Sequence, residues 1–291
     1  MSARARSSPH VQMLLAAALF ALIGAESPGN PGPCAAGQAR GRGALLERNN
    51  ALTHGNQRLP ETAAHLIELG CVRWRLWQDN AIAREGPGMP LGESWLHGAV
   101  VAAWTASTLE DPQGAAALMA ALAEAEGRRI ATPGRAEAAW QMMQRSGDPV
   151  ARNDAARVCT ILGEWLPDAS RHTAECATVA MAADPSSIRR PLELSRARAM
   201  LDDTAAALAA WRQAATKASS GDGWPHLLQE VRWFATAAEW DALARMASGG
   251  RSAALLQLIE LRDARTGEPH GSYLVTHFQR LAHARAEFAL K

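Results

Sequence analysis

Apolar residues recur along most of this chain at spacings of three and four, the period of amphipathic helices. The runs are interrupted by short stretches rich in Gly, Pro and Asp. Leu66, Leu69, Val72, Trp74, Leu76 and Trp77 predict a helix that starts after Pro60. Residues 84–94 (REGPGMPLGES) read as a loop, and Trp95 to Leu109 as a second helix broken by Asp111-Pro112. Gln113 to Glu126 is rich in Ala and Leu, the strongest helix formers. Near the C-terminus, Pro225 to Thr236 predicts one helix. Residues 252–263 (Leu255, Leu256, Leu258, Ile259) and 272–289 (Leu274, Phe278, Leu281, Phe288) predict two more, separated by Gly267, Pro269 and Gly271. These last two are expected to pack back on the 225–236 helix through Trp233 and Trp240.

The helical pattern repeats. Pro133 and Pro167 are 34 residues apart. The same spacing relates Ala139, Thr173 and Ala207, and again Ser146, Ala180 and Ala214. Three units follow, 120–153, 154–187 and 188–221, each a helix, a short turn and a second helix. Ala207, Trp211 and Ala214 place small residues where helices approach closely, with one large residue in the groove between them. Thr173, Ala177 and Ala180, followed by Asp184-Pro185, occupy the same places one unit earlier. On these positions residues 188–221, and more loosely 154–187, resemble tetratricopeptide repeats. The resemblance implies an all-α fold, a right-handed array of antiparallel helical hairpins whose concave face receives other proteins. Trp211 and Ala214 are expected at the interface between the last two units.

Beyond residue 221 the register is lost. Glu239-Trp240, Arg262-Asp263, Gly267, and the series His277, Arg280, Leu281, Ala284, Arg285 and Phe288 resemble the helical start of a GWxTD domain. That family occurs in bacterial secreted proteins, often after tetratricopeptide-like repeats. The GWxTD signature itself is absent, so the segment reads as an incomplete domain. The expected organisation is a signal peptide (1–25), a flexible linker (26–43), a repeat domain (44–221) and a helical C-terminal cap (222–291).

The N-terminus supplies the compartment. Arg4 and Arg6 precede an apolar run, Met13 to Ala25. It is too short for a bilayer span, which needs about 20 residues, and fits a cleavable signal with cleavage after Ala25. The protein is expected to be secreted or periplasmic, with no membrane span in the mature chain. Loss of the two arginines would move the formal charge from +1 to about −1. Such a balance, without a basic block, argues against nucleic acid as a partner.

In an oxidising compartment the four cysteines are candidates for disulfides. Cys159 and Cys176 flank Pro167 almost symmetrically, so a hairpin turning there would bring them to the same height. Two buried thiols are the alternative reading. Cys34 and Cys71 would then pair by elimination.

Chemistry is sparse. There is no phosphate-binding glycine loop, GxSxG or HExxH. His277 and His283 lie about 120° apart around a helix, and the cysteines lack the spacing of a zinc site. Neither a metal nor another cofactor is expected. Glu93-Ser94 matches the catalytic dipeptide of lytic transglycosylases but lacks the segment expected downstream; the simpler reading is a helix start at Trp95. Trp74, Trp77 and Trp104 offer a stacking platform or, at helical spacing, core packing. Arg128 and Arg196 are two repeat lengths apart with Leu162 midway, on the expected inner face of successive first helices, and Arg189 is close by. These three arginines are candidates for holding a carboxylate through paired hydrogen bonds, against the plainer reading of solvated surface charges. Arg262-Asp263 reads as a helix-end ion pair. The function that follows is a non-enzymatic scaffold for a protein or peptide outside the cytoplasm. The alternatives are a structural subunit of an envelope complex and, more distantly, a cell-wall glycosidase.

Overall fold

The computed structural model describes residues 34, 41–54, 62–82, 91–109, 112–166, 170–219 and 223–289. The signal segment, most of the linker, Pro167 and the side chains of Glu93 and Phe288 lie outside the described residues. The described chain is all-helical, with thirteen helices and no strand. They are α1 (Arg42–His54), α2 (Ala63–Ile82), α3 (Leu91–Ala106), α4 (Pro112–Ile130), α5 (Pro133–Arg145), α6 (Pro149–Gly163) and α7 (Ser170–Ala183). Then come α8 (Arg189–Ala199), α9 (Thr204–Ser219), α10 (Trp224–Val231), α11 (Ala237–Ala244), α12 (Ser248–Thr266) and α13 (Ser272–Ala289).

Helix starts follow local chemistry. Thr132 caps α5 by accepting from the Arg135 amide, with Pro133 in the first turn. Asp148 caps α6 by accepting from the amides of Val150 and Ala151, with Pro149 behind it. In both, proline occupies a place where its missing N–H is no loss. Thr236 and Glu239 form a reciprocal capping box on α11. The start of α3 differs from expectation. Helix begins at Leu91, so Glu93 and Ser94 sit inside its first turn and do not form a loop and cap ahead of Trp95.

Helices pack mainly on near neighbours in sequence. α2 lies against α1, α3 and α4; α6 lies against α4, α5 and α7; α7 lies against α8, and α8 against α9. The 34-residue spacing holds for the second helices: Thr173 and Ala207 are each the fourth residue of their helix, α7 and α9. It does not hold throughout. Pro133 opens α5, whereas Pro167 precedes the first residue of α7 by three. The closest approaches differ too. In one hairpin Gly163 meets Thr173 so tightly that a Cβ on the glycine would fall 1.9 Å from the threonine hydroxyl. In the next, the Ser195 hydroxyl donates to the Ala207 carbonyl at 2.8 Å.

Two apolar cores result. The first joins α2–α7 and is rich in alanine, including Ala99, Ala116, Ala139 and Ala155. Trp77 is buried in it, while Trp74 and Trp104 are half-buried at its margin. The second joins α8–α13, drawing residues from both sides of position 221, and is built on Trp211, Phe234 and Phe278. Among the described residues, a small cluster of Ala177, Leu194 and Ala210 bridges α7, α8 and α9.

This arrangement corrects two expectations. Trp211 and Ala214 are fully buried but belong to the second core, facing the C-terminal helices; Ala210 faces the preceding hairpin. Trp211 sits 6.0 Å from Phe278 and 6.1 Å from Phe234, in the tilted geometries aromatic rings prefer. The last helices reach α9 directly, α12 and α13 both packing on it. Trp233 is not buried in this packing: it is 72% exposed, at the edge of a recess that it shares with Tyr273, Thr276 and Arg280 of α13. Trp240 does anchor its helix, donating its indole N–H to the Leu228 carbonyl at 3.1 Å.

Arg262 and Asp263 are likewise not paired with each other. Arg262 reaches back to the Glu239 carboxylate and the Phe234 carbonyl. Asp263 accepts from the amides of Gly271 (2.6 Å) and Tyr273 (2.8 Å), ordering the loop between α12 and α13. The two cysteine pairs are bonded: Cys159–Cys176 with Cα atoms 6.0 Å apart, and Cys34–Cys71 with Cα atoms 5.3 Å apart.

Candidate functional site

The seam between the two cores is polar. Its floor is the C-terminal end of α4, where the backbone leaves helical geometry at Glu126 (φ −132°, ψ 19°). Gly127 follows, and only a glycine fits there. A Cβ would come within 2.8 Å of Ile161, on α6, and 3.5 Å of the Trp165 indole nitrogen. Beside this close approach lies a groove of about 310 Å³ whose lining includes Glu124, Arg128, Ile161, Glu164, Trp165 and Arg189.

Arg128 and Arg189 therefore line one groove. Arg128 is exposed at the end of α4. Arg189 opens α8 and binds Glu193 at 2.6 Å. Arg196 stands behind the groove and is not a solvated surface charge. Its guanidinium bridges Glu164 (2.7 Å) and Glu230 (2.6 Å), tying α8 to the residue after α6 and to α10. Leu162, expected on the same face, is fully buried; Ile161, Glu164 and Trp165 take that place.

Beneath the groove runs a ladder of charges. Glu124 meets Arg157 and, at 3.3 Å, Arg190. Arg157 also holds Asp154 at 2.9 Å, and Arg190 holds Glu193 at 2.8 Å. Burial alone would raise the Glu124 and Glu164 carboxyls. The opposing pull of Arg157 on the first, and of Arg196 and Arg285 on the second, brings both below the ordinary range. Burial raises the Asp154 carboxyl despite Arg157. The Arg196 guanidinium, which burial would weaken, is raised by Glu164 and Glu230.

α13 closes the far end. The Arg285 guanidinium lies over the Trp165 ring, 5.3 Å from its centroid, a cation–π distance. Beside it a small recess is lined by Glu164, Leu166, Arg196, Met200, Phe278 and Leu281 among others. His277, about two turns before Arg285 on α13, packs edge-on against Phe234 at 4.9 Å. Its Nε2 is buried without a hydrogen-bond partner.

Spacing singled out Arg128 and Arg196, with Arg189 named for its nearness; Glu124, Glu164 and Trp165 were not singled out. A charge periodicity marks part of the ladder, since Glu124, Arg157 and Arg190 are each 33 residues apart. Nothing in the sequence distinguishes Trp165 from the nine other tryptophans.

Among the described residues, no three His, Cys, Asp or Glu side chains converge as metal ligands, and no helix is long and apolar enough to cross a membrane. No protein-family model, curated protein or solved structure matches the chain.

Proposed function

We propose that this protein is a non-enzymatic interaction scaffold that works outside the cytoplasm. In this reading its helices form a right-handed, tetratricopeptide-like array of hairpins with a helical cap, and the seam groove receives a peptide segment of a partner protein. One observation carries the reading: Arg128, Trp165 and Arg189, from three successive parts of the array, line a single groove. An indole edge and guanidinium groups in a groove of that size suit an extended peptide, the indole supplying contact area and the arginines bidentate hydrogen bonds. The two carboxylates that line the groove support a binding role, because Glu124 and Glu164 are held ionised by arginines and are poorly placed to donate protons. The two disulfides suit an oxidising compartment.

The test is site-specific photo-crosslinking in native envelope extracts, with the probe at position 128 or at position 233. The groove reading expects specific adducts from position 128 that fall at least about tenfold in a Trp165→Ala background, the scale of a tryptophan hot spot. Adducts from position 233 alone would favour the alternative of a structural subunit. Its supporting observation is the exposed Trp233, beside a recess lined by Tyr273, Thr276 and Arg280.

A further inference from the structure

Arg285 differs from every other buried or half-buried arginine among the described residues. Arg157, Arg190, Arg196, Arg198 and Arg262 each bind a carboxylate. Arg73, Arg75, Arg135 and Arg251 each donate to a backbone carbonyl. Arg285 has neither; its one close partner is the face of Trp165. The guanidinium is half-buried and its donors still reach solvent, where an incoming acceptor can meet them; its partial loss of hydration disfavours the charged form.

Its surroundings make that worse. Arg196 lines the same recess, and its own charge is already taken by Glu164 and Glu230. Burial and the nearby Arg196 both push the Arg285 guanidinium toward losing its proton, with Glu164 and Glu230 opposing only in part. The position is thus a cation held in reserve, at the junction of the groove and the recess.

We infer that Arg285 is the anchor for a peptide carboxylate, which takes the open guanidinium edge while the peptide runs past Trp165 into the groove. This rests on the groove reading above and names the chemical end of the ligand. Arginine is suited to it, because its planar fork meets a carboxylate with two parallel hydrogen bonds. The carboxylate has two sources, a chain terminus or an Asp or Glu side chain. The recess beside Arg285 admits about 30 Å³, room for a carboxylate-sized group and not for a side chain beyond it, so a terminal carboxylate whose small last residue stays outside the recess fits it best.

The experiment uses the full oxidised protein and three fluorescent hexapeptide libraries. One ends in Ala with a free carboxylate, one ends in Ala-amide, and one is an amide with a single internal Asp or Glu. Binding is measured for the parent, Arg285→Gln, Arg285→Lys and Arg128→Gln. The anchor predicts that free-carboxylate peptides bind the parent at least about tenfold tighter than the amides. Arg285→Gln abolishes that difference and Arg285→Lys restores part of it. Arg285→Gln gives up the Trp165 stacking and the pull on Glu164, so its melting temperature is measured beside that of Arg285→Lys, which keeps the cation; loss of the carboxylate preference in a folded Arg285→Gln reports the anchor and not the fold. Preference for the internal-acid library, abolished by Arg285→Gln, assigns the carboxylate to a side chain. Binding that ignores the carboxylate and Arg285 but falls with Arg128→Gln overturns the anchor and leaves the groove standing. No binding by any library overturns both.

Discussion

The two cores solve one problem in different ways. In α2–α7 the buried residues are mostly small or aliphatic, and helices approach on alanine faces. Such contacts bury little area per residue, and both disulfides lie in this half, Cys34–Cys71 at one end and Cys159–Cys176 at the other. In α8–α13 there is no cysteine. The helices there gather around Trp211, Phe234 and Phe278, and the loop after α12 is tied by Asp263. Covalent constraint and aromatic bulk thus stand in for one another. The seam, crossed by few apolar contacts, is held by ions: Arg190 to Glu124, and Arg196 to Glu164 and Glu230. A boundary of that kind can present charged groups to solvent without opening a core, which is where the groove lies.

The sharpest way to break the comparison is to remove the aromatic centre. Trp211→Ala deletes a fully buried indole that touches Phe234 and Phe278. It should cost about 3–5 kcal/mol, the range for large aromatics in cores. Hydrogen exchange should then rise across α9, α12 and α13 while α2–α6 stay protected. Uniform deprotection would mean that the halves do not differ in what stabilises them.

The complementary change removes the covalent clip. Cys159→Ala with Cys176→Ala opens a loop closed by residues 17 apart. Chain-entropy reasoning puts the loss near 3 kcal/mol. The effect should appear in α6 and α7 and spare the aromatic core, as read by exchange or by denaturant melts of the double variant. A loss below about 1 kcal/mol would show that the alanine faces suffice without the clip.

How much of this was visible beforehand follows from what each residue responds to. Period and capping are local, so the all-helical character and most helix positions followed from apolar spacing and Pro133; Pro149 and the Thr236–Glu239 box are equally local but entered no expectation, and the helix expected over 225–236 ends at Val231. Burial partners are not local. Trp211 was recognisable as a core residue, but which neighbour it meets depends on where α12 and α13 fold back. Trp233, seven residues from Trp240, carries no sequence mark of its exposure. Among the groove residues, Arg128 was singled out by its repeat spacing to Arg196, and Arg189 only by its nearness to Arg196. Trp165 was not, because it lies past the end of α6, where the periodic signal stops. The shift of Pro167 relative to α7 also shows that a constant spacing in sequence need not mark equivalent places in space.

The smallest effect concerns pH, and it tests whether the aromatic half alone carries an acid-sensitive element. Burial lowers the His277 imidazole to about 4; Glu230 opposes this, while Arg196, Arg280 and Arg285 add to it. An unfolded histidine titrates near ~6.5. Between these values the unfolded chain takes up a proton that the folded chain refuses, so the stability contribution is complete above about pH 6.5 and is lost as pH falls towards 4. With a partly exposed ring, solvent screening limits the loss to about 2 kcal/mol. His277→Asn keeps a polar group without the titration, so the slope of stability between pH 6.5 and 4 should flatten in that variant. Exchange protection in the second core should fall with pH in the parent, while the disulfide-clipped core changes little. Equal slopes for parent and variant would remove His277 as the cause and leave the carboxylates of the seam to explain any acid sensitivity.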